Sequence, residues 1–166
     1  MAEDKEIPVK IKIVSKQTEE HLFPKTEADE TDAEGSLHVE PNVTEMYAEG
    51  VLLANEKRIA VLYDETELTG MEGARTRLFF ALQNPGMVSL SRDGTVKTAL
   101  HFEVGRQHIT VYQTPYLTCE LCVHTYELDN RLSETGGTLR LRYDLQISGV
   151  CLEKTELSFE ATPILR

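Results

Sequence analysis

Residues 7–15 alternate strictly, with Ile7, Val9, Ile11 and Ile13 set against Pro8, Lys10 and Lys12. A period of two is the mark of a half-buried strand, so a first strand is expected over 7–15. The alternation then stops. From Lys16 to about Pro41 no apolar stripe recurs, and residues 26–34 (TEADETDAE) combine acids with small side chains that have little to bury. A mobile acidic loop over 16–42, with at most a short helical turn, is the expectation. Period-two runs resume near residue 43 and continue to 161, at about 43–54, 57–66, 75–83, 86–92, 95–104, 108–114, 118–129, 137–149 and 151–161. Between them stand turn residues: Asn55-Glu56, Gly70 to Gly73, Asn84-Pro85-Gly86, Asp93-Gly94, Gly105-Arg106, Pro115, Gly136-Gly137 and Gly149. Asp93-Gly94 is the strongest hairpin signal, because a two-residue type I′ turn needs positive φ at both positions.

No stretch shows the i, i+3, i+4 spacing that a crossover helix would need, so the strands must be joined by hairpins into an antiparallel meander. An open meander exposes two edges, and closure removes them. The pattern therefore predicts one all-β domain over 1–166, an antiparallel up-and-down barrel of roughly eight to ten strands. A two-sheet sandwich would show more long connections than the single one here.

Parity within each run sorts the two faces. Leu78, Phe80 and Leu82, Val88 and Leu90, Leu100 and Phe102, Leu121 and Val123, and Leu139, Leu141, Leu145 and Ile147 should point inward. Arg75, Arg77, Lys97, Glu103, Arg140, Arg142 and Asp144 should face solvent. On the inward parity, however, lie several polar residues: Tyr63, Glu65, Thr76, Arg92, His108, Tyr112, Thr125 and Tyr143. A buried guanidinium beside carboxylate and phenol groups is costly unless it is paired. Two readings follow. The cluster either satisfies itself and plugs one end of the barrel, or lines a ligand pocket at the barrel mouth, with Arg92 meeting an anionic head and the apolar layers taking a tail.

Composition narrows the function class. Net charge is −11, of which −9 lies within residues 17–50, where ten acids face Lys25 alone. With no basic stripe interleaved with aromatics, a nucleic-acid partner is not expected. No stretch approaches the roughly 18 apolar residues of a membrane span, and the opening MAEDKE is acidic where an export signal is basic, so a cytoplasmic protein is expected. Cys119, Cys122 and Cys151 are an odd set without an export signal, which argues for reduced thiols. Cys119 and Cys122, three apart in a strand, should face opposite ways and so make no zinc site. Gly70-Met71-Glu72-Gly73 lacks the Lys-Ser/Thr of a phosphate loop, and no HExxH or GxSxG occurs. His108 beside Tyr112 lacks the nucleophile, orienting acid and oxyanion donors of a catalytic set. The expectation is a non-enzyme without metal or cofactor, monomeric or homodimeric, that binds a small amphipathic or anionic ligand. The alternative is a protein-interaction module using the sheet exterior, an edge strand or the acidic loop.

The spaced residues form a recognisable series. Tyr63, Glu65, Thr69-Gly70-Met71, Gly73 and Thr76 are followed by Val88, Leu90, Arg92, Gly94, Phe102 and Gly105, then by His108, Tyr112, Thr114-Pro115-Tyr116, Leu121, Val123 and Thr125. Gly136-Gly137, Leu139, Leu141, Tyr143, Leu145, Ile147 and Gly149 close it. Over residues 43–161 the chain resembles the YwiB-like family of bacterial calycin-type β-barrels. The resemblance implies a lipocalin-like barrel and makes Tyr63, Glu65, Thr76, Arg92, His108, Tyr112 and Tyr143 motif positions, but it carries no function. Two features depart from the family pattern: Leu117 stands where Gly usually follows Thr-Pro-Tyr, and the acidic stretch is longer.

Overall fold

A computed structural model describes residues 4–21, 41–65, 73–148 and 151–164. Ten strands form one antiparallel sheet: β1 (Lys5–His21), β2 (Asn42–Ala54), β3 (Arg58–Asp64), β4 (Arg75–Ala81), β5 (Met87–Asp93), β6 (Thr98–Glu103), β7 (Gln107–Gln113), β8 (Thr118–Asn130), β9 (Gly137–Ile147) and β10 (Cys151–Pro163). No helix occurs among the described residues. The pairing order is β6-β5-β4-β3-β2-β1-β10-β9-β8-β7, so every pair is antiparallel between neighbours in the chain except that β1 and β10 also pair. The first and last strands thus sit at the centre of the sheet, in register from Val9↔Pro163 to His21↔Cys151.

The sheet curls until β6 meets β7 and β8. Lys97 and Gln113 exchange backbone hydrogen bonds of 2.8 and 2.9 Å, and the Gly105 N–H donates to the Thr125 carbonyl at 3.1 Å. These contacts form a nearly closed barrel whose seam is a joint pinned at two places rather than a continuous ladder. The β8 register shifts between Thr125 and Glu127, and a bulge of this kind adds the bend that brings the strand round to the seam. Gly50 lets β2 bend inward: a Cβ there would lie 2.3 Å from the Leu62 carbonyl oxygen and 2.8 Å from Ile11 Cδ1.

Several expectations need correcting. β1 is longer than its apolar alternation, because Lys16–His21 pair with β10 and Lys16 and Gln17 also pair with β2. Residues 16–21 are therefore strand, and 22–40 of the expected loop lie outside the described residues. The expected turn at 70–73 also lies outside them apart from Gly73. The Asp93-Gly94 hairpin joins β5 to β6, but Arg92 pairs with Thr98 and Asp93 still belongs to β5, so residues 94–97 form the connection in place of a two-residue turn. Lys97 is drawn off to bridge Gln113 across the seam, which explains the longer connection. Gly94 holds φ +131 within it. Leu82 falls in the turn after β4 and is 42% exposed, because its backbone N–H is taken by the Lys57 carbonyl and the strand has ended.

The remaining inward parity is observed. Val9, Ile11, Leu52, Ile59, Val61, Leu78, Val88, Phe102, Val123 and Leu139 are almost fully buried, so eight of the ten strands supply this innermost layer. Leu145 and Ile147 pack at its margin, half-buried. Burying such side chains from water contributes on the order of 1.5–3 kcal/mol each.

Candidate functional site: a polar-lined cavity at one end of the barrel

The end of β3, the start of β4 and the end of β5 meet at one end of the barrel, since each neighbour runs antiparallel to the next. Register sets Tyr63 opposite Thr76 and Thr76 opposite Arg92, so three inward polar side chains stand side by side, and Glu65 follows Tyr63 by one inward step. The Thr76 hydroxyl donates to Glu65 Oε1. Arg92 Nε donates to the same oxygen at 3.3 Å. The Glu65 side chain is only 1% exposed and that of Arg92 18%, so the pair lies within the barrel rather than on its surface. Glu65 Oε2 has no hydrogen-bond partner among the described residues.

That unsatisfied oxygen is informative because buried carboxylate oxygens almost always find a donor. It belongs to a residue that lines a cavity of about 330 Å³. Tyr63, Glu65, Arg92 and Tyr143 form its polar side; Ile13, Met46, Leu78, Leu90, Leu100, Leu157 and Phe159 form its apolar side; and Ser15, Gln17, Asn42 and Thr44 complete the lining. Asn42 is exposed and Gln17 and Thr44 half-buried, which places the opening there. Two exterior grooves of about 350 and 440 Å³ cross β9, β10 and β1, but exposed charged side chains such as Lys16, Arg142 and Glu156 dominate them. The interior cavity is the one that joins apolar walls to buried polar groups.

Other interior hydroxyls share the unpartnered state. Thr98 Oγ1, opposite Arg92, and Thr125 Oγ1, opposite Tyr143, have no hydrogen-bond partner among the described residues. Burial pushes the Tyr63 phenol well above its ordinary range; the Glu65 carboxylate adds to the rise, and Arg92 opposes it. Burial raises the Tyr143 phenol too, again against Arg92. Both phenols stay neutral donors at ordinary pH. Nearer the strand ends, Glu19 on β1 and Glu153 on β10 face each other in register, and partial burial, then Glu19, holds the Glu153 carboxyl above the usual carboxylate range.

The seven candidate positions therefore divide. Tyr63, Glu65, Arg92 and Tyr143 line the cavity, and Thr76 fixes Glu65 from β4. Tyr112 is inward on β7 and packs at the core margin, outside this lining. His108 opens β7, at the opposite end of that strand from Tyr112, and its ring meets His101 across the seam at 5.6 Å between centroids, nearly edge-on. Grouping His108 with the Arg92 end is corrected: equal parity fixes the face of a strand but not the height along it. Residues missed from sequence are Ser15, Gln17, Asn42 and Thr44. Ser15 and Gln17 continue the inward parity of Ile11 and Ile13, and Asn42 and Thr44 that of Met46. Because they are polar, they ended the apparent alternation exactly where the cavity begins to open.

Cys119 and Cys122 are free thiols, and Cys119 packs at the core margin while Cys122 lies opposite Ile109 on the other parity. Among the described residues no three His, Cys, Asp or Glu side chains are placed to hold a metal ion. No described helix is long and apolar enough to cross a membrane.

A ten-stranded, nearly closed antiparallel barrel with a buried carboxylate–guanidinium pair beside an interior cavity is the class that fold and geometry define. Residues 25–159 match the family described as Domain of unknown function (DUF1934), and the chain belongs to it. The crystal structure of the YwiB protein from Bacillus subtilis is similar to the whole barrel, with a TM-score of 0.67 at 19% identity over 95% of this chain and 94% of that one. That likeness concerns the fold. No curated protein matches the chain.

Proposed function

We propose that this calycin-type, lipocalin-like barrel is a non-catalytic binding protein that holds a small amphipathic molecule in the Glu65–Arg92 cavity. The observation that carries the reading is an interior space of about 330 Å³ bounded by apolar walls and by a buried carboxylate with one oxygen unpartnered among the described residues. A plug would leave that end filled and the polar groups satisfied by each other. Ligand sites have the opposite character, an apolar concavity of about 300–1,000 Å³ with a few convergent polar groups. The two described cysteines, unpaired, suit a reducing compartment, and we place the protein in the cytoplasm.

The test is native mass spectrometry of freshly purified protein before and after denaturation, with Leu90→Trp as the cavity-filled control. A stoichiometric small molecule released from the wild type and absent from folded Leu90→Trp is the expected result. Identical native and denatured masses, with no spectral response of Leu78, Leu90 or Leu100 to the small-molecule fraction of a cell extract, would overturn the proposal.

A second reading rests on the exterior. On β7 Ile109 is 70% exposed and Val111 53%, and Leu117 and Tyr116 follow in the next turn, all exposed. β7 ends the pairing order, with one edge bonded to β8 and the other pinned at the seam, among the described residues, through Gln113. Such a strand is a place where another extended chain can add. A binding partner lost on Ile109→Lys but retained by Leu90→Trp would favour interaction over ligand binding.

A further inference from the structure

We infer that the head group of the cavity's ligand is uncharged and carries a hydrogen-bond donor next to an acceptor, as a primary amide does. The inference rests on the binding reading above and adds the chemical class of the ligand. Two observations lead to it. First, the cavity already contains its own counter-ions: Arg92 Nε lies 3.3 Å from Glu65 Oε1, so a bare anion arriving at Arg92 must compete with a resident carboxylate. Second, Glu65 Oε2 is buried without a hydrogen-bond partner among the described residues, so a head that brings an N–H or O–H gains a contact there that a carboxylate head cannot make.

A cation satisfies only half of these conditions. An ammonium would donate to Glu65 Oε2, but it would sit beside the Arg92 guanidinium and offer nothing to that group's remaining donors. Losing its own hydration in a cavity whose ion pair is already balanced adds a further cost. An amide head donates through N–H to Glu65 Oε2 and accepts through C=O from Arg92, or from the neutral phenols of Tyr63 and Tyr143, which line the same wall. The apolar side formed by Leu78, Leu90, Leu100 and Phe159 then takes the rest of the molecule. The space is roughly twice that of an apolar cavity of about 150 Å³ that takes up benzene, so a short chain is the right scale.

The experiment titrates wild-type protein calorimetrically with hexanamide, hexanoate and hexylammonium, three heads on one chain, at pH 7, and repeats the set on Leu90→Trp and Glu65→Gln. Hexanamide should bind at least tenfold tighter than either ion in the wild type, and Leu90→Trp should abolish its binding. In Glu65→Gln, where Arg92 loses its counter-ion and the free acceptor is gone, hexanoate should become the tightest of the three. If hexanoate or hexylammonium binds the wild type as tightly as the amide, with the same loss in Leu90→Trp, the head-group inference is overturned while the binding site stands. If none of the three binds the wild type, both the inference and the reading beneath it fail. The wild-type order decides the matter even should Glu65→Gln not fold.

Discussion

The two ends of the barrel put inward polar side chains to different uses. At the Glu65 end a carboxylate, a guanidinium and two phenols stand around an interior space, and one carboxylate oxygen remains without a donor. At the seam, His108 packs its ring against His101, and His101 Nδ1 is in turn 2.8 Å from Ser89 Oγ. His108 Nε2 is also unpartnered among the described residues, yet His108 does not line the cavity. Both places contain an unsatisfied buried atom among the described residues, and the one at Glu65 borders the cavity. An orphaned polar atom is evidence for a ligand when it borders space; packed against a ring at a joint, it is a local cost of closing the barrel.

The largest effect that would sharpen this contrast is Glu65→Ala. Removing one partner of a buried pair leaves the other charge uncompensated, which costs on the order of 3–5 kcal/mol. Because Arg92 retains some exposure, a loss near the lower end, about 3 kcal/mol by urea unfolding, is expected. Replacing both partners, Glu65→Leu with Arg92→Leu, should restore stability to within about 1 kcal/mol of wild type, since apolar replacements of buried pairs are often neutral. That double variant should nevertheless lose hexanamide binding. A stable double variant that still binds would show that the pair is not the recognition element.

Alkaline pH tests the same end. The phenols of Tyr63 and Tyr143 are raised in the folded protein, so they stay protonated where an unfolded tyrosine, with a pKa of about 10, ionises. Their contribution is fully present below pH 10 and is lost as pH rises above it. Unfolding free energy should fall between pH 10 and 12, and Tyr63→Phe should flatten the fall. An unchanged slope in that variant would place the Tyr63 phenol in solvent.

Smaller effects are expected at the seam. His108→Phe removes a buried unpartnered nitrogen while keeping a ring against His101, so stability should stay level or rise by up to about 1 kcal/mol. Hexanamide affinity should not change. A loss of affinity would return His108 to the site. Least of all, Ile109→Lys on the exposed face of β7 should alter stability by no more than about 0.5 kcal/mol, and sedimentation should show whether it changes self-association.

Much of this contrast was legible in the sequence. Alternation gave the strands because one face of each is buried: Leu78 and Phe80, or Leu139 and Leu141, fix the parity without ambiguity. The same parity correctly turned Tyr63, Glu65, Thr76, Arg92 and Tyr143 inward. It could not order them along the barrel axis, because height depends on register and strand tilt, which no single strand encodes. His108 was therefore placed with Arg92 when it belongs to the seam. Nor could alternation follow β1 beyond Ser15. Ser15 and Gln17 keep the inward parity, but as polar residues lining a cavity they read as the start of a loop. Closure between β6 and β7, rather than between the first and last strands, was equally hidden, since it depends on β1 and β10 finding each other across the length of the chain.

The most direct test is methyl-detected NMR of the wild-type protein during titration with hexanamide. The account predicts saturable shifts at the methyl groups of Met46, Leu78, Leu90 and Leu100, which line the cavity, with Ile109 and Val111 unmoved. Shifts confined to Ile109 and Val111, with the cavity methyl groups silent, would contradict it.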